Sequence, residues 1–111
     1  MDVAIIGPIG VRQFTLEKIC EESVGHEHNY DHVTMVVRGR IRVKYSYLNG
    51  DQLVEGESRE FGPGDDVLIK ANVRHTIKAL EPNTVYKCVF SHRDFDGLVT
   101  QNYVGNELAY I

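Results

Sequence analysis

The sequence predicts an all-β fold, a sandwich or closed barrel of short antiparallel strands, on three observations. Apolar and polar residues alternate with period two through the middle of the chain, with Ile41, Val43, Tyr45 and Tyr47 set against Arg40, Arg42, Lys44 and Ser46. Turn clusters recur roughly every 8–12 residues, the spacing of sandwiches and barrels. Helical periodicity is weak. Phe14 to Glu22 can be drawn as an amphipathic helix, but Thr15, Ile19 and Cys20 are poor helix formers, so a strand is expected there.

The elements follow in order. The strand ending near Tyr47 runs into Asn49-Gly50, a pair that tolerates positive φ and signals a hairpin. Gln52 to Phe61 supplies the returning strand. Gly62-Pro63-Gly64-Asp65 is a turn, Val67 to Lys70 a short strand and Ala71 to Arg74 a tight connection. His75 to Leu80 alternates again, Glu81-Pro82-Asn83 turns the chain, and Thr84 to His92 is another strand. On that strand Lys87 belongs outside, which sends Tyr86, Cys88, Phe90 and His92 inward. Ile41, Val43, Val67, Ile69, Ile77, Val85 and Val89 or their partners should form the core. From Phe95 to Ile111 the turns Asp96-Gly97 and Gly105-Asn106 separate apolar residues that need a packing surface.

Composition sets the limits. A chain of 111 residues is expected to make one domain, residues 1–111, with a core that needs no staples. Its net charge of −4 argues against nucleic-acid or anionic-membrane partners. The local cluster Arg38, Arg40, Arg42 and Lys44 alternates along a strand without interleaved aromatic residues, which reads as a solvated outer face. Cys20 and Cys88 are not a CxxC pair and read as free thiols of a reducing compartment. The start MDVAIIGPIG lacks the basic start and long apolar run of a signal peptide, and no run reaches the roughly 20 apolar residues of a membrane helix. A cytoplasmic protein is expected.

The chemistry lies in the histidines. His26 and His28 are one residue apart, so a strand would turn both rings to one face. His32 keeps their parity, and His75 opens a strand far along the chain. Such a set can converge inside a barrel on Zn, Cu, Fe, Ni or Co, for which imidazole is a common ligand.

The stretch from Gly25 to Gly39, GHEHNYDHVTMVVRG, resembles the first motif of the cupins: two His one apart, an acidic ligand, then six residues and a Gly. The acidic position falls on His32, and Gly39 is the closing glycine. Gly64-Asp65 and His75 match the second motif. The sequence departs from the motifs at Lys70 (usually Pro), Asn72 (usually Gly), Ala79 (usually Asn) and Cys20, where the opening Gly falls. The resemblance covers residues 14–92 and implies a cupin-type β-barrel, a double-stranded β-helix or jelly roll, with terminal extensions on either side. It also implies that His75 points inward and that His26, His28, His32 and His75 hold a divalent transition metal.

With His in place of the acidic ligand, four neutral imidazoles leave the ion its full positive charge, which favours anionic oxygen donors. A small anionic organic ligand is expected, and no organic cofactor. The resemblance implies an enzyme of dioxygenase or Lewis-acid isomerase, cyclase or lyase chemistry. The alternative is a non-catalytic binding or sensing module. Tyr30 shares the ligand parity, and with Tyr86 and His92 is a candidate to act on the ligand. The apolar terminal runs, Val3 to Ile9 and Leu98 to Ile111, predict a homodimer that covers them, since exposed strand edges are a liability.

Overall fold

The computed structural model describes residues 2–6, 8–23, 31–70, 73–91 and 107–110. Among them nine strands form two sheets. They are β1 (Asp2–Ile6), β2 (Ile9–Leu16), β3 (His32–Arg38), β4 (Ile41–Asn49), β5 (Gln52–Phe61), β6 (Asp66–Ile69), β7 (Arg74–Ala79), β8 (Thr84–Ser91) and β9 (Glu107–Tyr110). The larger sheet has the order β6-β3-β8-β2-β1-β9 and the smaller one β5-β4-β7. Pairing is antiparallel except between β1 and β9. Among the described residues no helix is long and apolar enough to cross a membrane.

The period-two pattern carries through to burial. Ile41 and Val43 of β4 are buried, while Arg42 and Lys44 between them are exposed. The exposed basic residues are matched by acids across the ladder: Arg42 donates to Glu60 at 2.5 Å and Lys44 to Glu55 at 2.6 Å. The Arg42 hydrogen bond holds the Glu60 carboxyl below its usual range. Such exposed pairs contribute little stability, but they make Arg42 and Lys44 one side of a charge ladder. The basic run does not share one strand, since Arg38 ends β3, where it donates to the Asn83 carbonyl at 2.9 Å, and Arg40 lies between β3 and β4.

The core lies between the sheets. Leu16, Val36, Val67, Ile69, Tyr86 and Cys88 come from the larger sheet, and Ile41, Val43, Ile77 and Ala79 from the smaller. Val89, expected in the core, lies on the outer parity of β8 and is only half-buried. Val85 shares that parity and yet is buried, beside a register shift where it pairs Arg38.

Two local readings need correction. The strand expected from Phe14 to Glu22 ends at Leu16, and the chain turns through Cys20, whose φ is +68°. That is the left-handed region, where a side chain costs energy. It gives the physical reason for glycine at this motif position, which Cys20 occupies with its N–H bonded to the Ala79 carbonyl at 2.8 Å. Cys20→Gly is therefore expected to stabilise the fold by about 0.5–1 kcal/mol, read as a rise of a few degrees in thermal melting. A lower melting temperature would contradict it. In the hairpin, Asn49 pairs with Gln52, so the two-residue loop is Gly50-Asp51, not Asn49-Gly50. Gly50 has φ +65° and Asp51 does not share the positive sign, the pattern of a type II′ turn.

The terminal strands pair with the protein's own larger sheet: β1 lies against β2, and β9 along β1 as the edge strand. Val3 is buried there. The chain thus supplies part of the cover that the terminal apolar runs were expected to find in a second copy. Ile9 remains 52% exposed.

Candidate metal centre

Two of the four predicted ligands lie within the described residues, and they come from opposite sheets. His32 opens β3, where it is paired between Ile69 of β6 and Phe90 of β8. His75 sits on β7 of the smaller sheet, opposite Tyr45 of β4. Both point inward, at 2% and 1% exposure. Their ring centroids are 5.2 Å apart with the planes tilted by 50°. His26 and His28, and the candidates Tyr30 and His92, lie outside the described residues. Among the described residues no group of three or more potential ligands forms.

The pair fits a shared ion. Two imidazoles bound side by side to one metal at about 2.1 Å bring their centroids to roughly 4.5–5.3 Å, and the observed separation falls in that range. His75 is also oriented for the task. Its Nδ1 lies 3.1 Å from the Val73 carbonyl, which can only accept, so Nδ1 carries the proton. That leaves Nε2 as the lone-pair nitrogen of the neutral ring. A backbone carbonyl fixing the tautomer of a metal-binding histidine is a recurrent arrangement.

Register sets Tyr86 apart from His32. On the inner face of the larger sheet, Gly10, Phe90, His32 and Ile69 form one cross-strand row; Arg12, Cys88, Thr34 and Val67 form the next; Phe14, Tyr86 and Val36 the one after. Tyr86 is four residues along β8 from Phe90, about 13 Å of strand. Its ring stacks on Phe14 with centroids 4.9 Å apart, and burial pushes its hydroxyl strongly upward in pKa. Tyr86 packs as a protonated core residue two cross-strand rows from His32.

Cys88 is likewise structural. Its Sγ lies 3.2 Å from Thr34 Oγ1, and burial raises the thiol pKa, which suppresses the reactive thiolate. Both cysteines are free, Cys20 exposed and Cys88 buried. A thiol reagent such as DTNB should therefore titrate one cysteine rapidly in the native protein and the second only on unfolding. Two fast thiols would contradict this placement. The pH dependence has a definite sign. A raised thiol pKa means that the folded state keeps its proton where the unfolded state, with its ordinary value near 9, loses it; Cys88 therefore lowers stability as pH rises above about 9.

Arg12 was not singled out from the sequence, yet it is a buried interior residue at 3% exposure, with its guanidinium 5.0 Å from the centre of the Phe90 ring. The signal was available: Gly10, Arg12, Phe14 and Leu16 share one parity, and Leu16 is plainly apolar. On the outer face of the larger sheet a groove of about 390 Å³ is bounded by Ile9, Asp31, Val33, Leu68 and Val89, with His32 and Phe90 also in its lining.

No family model and no curated protein matches the sequence. Solved structures do match. KdgF from Halomonas sp. superposes with a TM-score of 0.64 at 26% identity, covering 84% of this chain and 76% of that one. Oxalate decarboxylase from Bacillus subtilis gives 0.62 at 19% identity, covering 77% of this chain and 21% of that one, so the chain spans about a fifth of that enzyme. The Drosophila melanogaster CENP-C cupin domain gives 0.57 at 17% identity, covering 76% of this chain and 60% of that one. The chain has the fold of these cupin-type structures. Within the cupin frame the closing glycine of the first motif has a structural reason here. Gly39 has φ +83°, and a Cβ on it would press on the Thr84 side chain and lie 3.0 Å from the Thr84 Cα. The cupin neighbours differ in what they do. The Bacillus enzyme has Mn(II) centres, whereas the Drosophila protein has been solved bound to CAL1.

Proposed function

We propose that this cupin binds one divalent transition metal through His26, His28, His32 and His75 and acts as an enzyme on a small anionic organic ligand. The observation that carries the reading is the meeting of His32 and His75 from opposite sheets, both buried, with rings 5.2 Å apart and His75 Nδ1 on the Val73 carbonyl. All-nitrogen ligation favours Fe, Ni, Cu, Zn or Co over Mg, Ca or Mn. The bound ion would polarise an oxygen donor as a Lewis acid or bind dioxygen. The chain's own residues hold the rings, exclude water and set the charge. Arg12 adds a buried guanidinium to the same interior.

The test is elemental analysis of protein purified without a His tag, followed by oxygen uptake with small carboxylates. About one equivalent of a transition metal supports the reading; protein free of metal that also refuses added Zn²⁺, Ni²⁺ and Fe²⁺ overturns it. Zinc without oxygen uptake removes dioxygenase chemistry. The second reading, a non-catalytic binding module, is supported by the structural likeness to the CENP-C cupin domain.

The free thiols support a reducing, cytoplasmic setting. A homodimer remains part of the proposal, now with a different surface. Ile9, Leu68 and Val37 are half or more exposed on the outer side of the larger sheet. Light scattering at micromolar concentration should give twice the chain mass, and a monomer mass would end this part of the reading.

A further inference from the structure

We infer that Gly10 is a positioning residue for the histidine centre, acting through Phe90; the inference rests on the metal-binding reading above. Gly10, Phe90 and His32 are direct neighbours across β2, β8 and β3, all buried on the inner face. Strands stand about 4.8 Å apart, so a phenyl ring between two such neighbours must lean toward one of them. It leans over Gly10. A Cβ built there would lie 2.7 Å from Phe90 Cε2 and 2.8 Å from Cε1, closer than real Cβ contacts come. Arg12, in the next row of β2, lies over the same ring. The empty position at Gly10 is therefore the slot that takes the ring.

On the other flank of Phe90 is His32. Directly opposed residues have Cβ atoms about 4.5–5.5 Å apart, so a ring expelled from the Gly10 slot moves against the imidazole. His32 must then rotate or shift relative to His75. Metal–nitrogen bonds tolerate only about 0.2 Å, so a displacement of this kind is read directly as lost affinity. Gly10 sets the position of His32 without touching the ion.

The experiment measures Zn²⁺ affinity by competition with a chromogenic chelator, together with the visible spectrum of Co²⁺-loaded protein. Gly10→Ala should weaken Zn²⁺ binding by about tenfold or more, the scale of losing a group that orients a ligand, and should change the Co²⁺ spectrum. Adding Phe90→Leu to Gly10→Ala removes the colliding ring and should restore most of the affinity. A merely structural glycine would behave differently: the melting temperature would fall, the affinity of the folded protein would hold, and truncating Phe90 would destabilise it further. If Gly10→Ala does not fold, Phe90→Trp in the parent chain tests the same crowding, because an indole overfills the slot; it should also weaken Zn²⁺ binding. Unchanged affinity and spectrum in the single variant, or no recovery in the double, overturns the inference and leaves the metal reading standing. A parent protein that binds neither Zn²⁺ nor Co²⁺ overturns both.

Discussion

Zn²⁺ or Ni²⁺ added at about one hundred times its dissociation constant is expected to raise the melting temperature by roughly 10 °C. Ligand binding to the native state alone contributes about 2.7 kcal/mol at that ratio, and a chain of this size shifts by about 4 °C per kcal/mol. His75→Gln keeps a buried polar side chain of similar bulk and removes the lone pair that Val73 orients. Losing a hydrogen bond to a metal ligand typically costs about 10–100-fold in affinity, so losing the ligand itself should cost more than about 100-fold and remove most of the thermal shift. His32→Gln should do the same, since it supplies the ring from the opposite sheet. Thermal melts with and without metal, on the three proteins, check this. An undiminished shift in either variant would place the ion elsewhere. Chelation alone should lower melting without unfolding the protein at room temperature. Ile41, Val43, Ile77 and Ile69 form a buried apolar core between the sheets, and complete unfolding would mean that this core contributes less than its burial suggests.

Gly39→Ala is expected to cost about 2–4 kcal/mol, a fall of roughly 10–15 °C in melting temperature. Two effects add. The φ of +83° is in the left-handed region, and the new Cβ meets the Thr84 side chain and backbone. Thr84 cannot yield freely, because its hydroxyl donates to the Glu81 carbonyl at 2.8 Å and pins the turn before β8. Gly50→Ala isolates the first effect. Its φ is +65°, and nothing lies within 4 Å of a Cβ there, so only the conformational cost of about 1 kcal/mol applies. Chemical denaturation of both variants gives the difference. Equal losses would show that the contact with Thr84 relaxes without cost.

The strand plan was legible because it rests on local rules. Alternation along β4, the turn at Gly62-Pro63-Gly64-Asp65 and the return through β5 need only the pleat and the φ preferences of Gly and Pro. The motif spacing also placed His32 and His75 inward, since parity settles which face each residue takes. Local rules failed where a local signal had two meanings. The alternating apolar residues near Cys20 do not continue a strand because the backbone there must turn left-handed. Val89 carries a core-type side chain on an outer position.

The residue inventory and its facing follow from local pattern alone: an all-β chain of the cupin type, a histidine set, two thiols outside any CxxC pair and a strand with a charged outer face. Which of these residues meet follows from the packing of the sheets. Two histidines 43 positions apart come within 5.2 Å because they lie on strands of different sheets, and no pattern along the chain encodes that distance. The same holds for Tyr86, whose inward parity is shared with Phe90 but whose register sets it beside Phe14. Arg12 and Gly10 gain their meaning only from β8 lying next to β2. Side-chain facing is a property of one strand with a period of two, whereas proximity depends on strand order and register, which are settled by the packing of the two sheets as a whole.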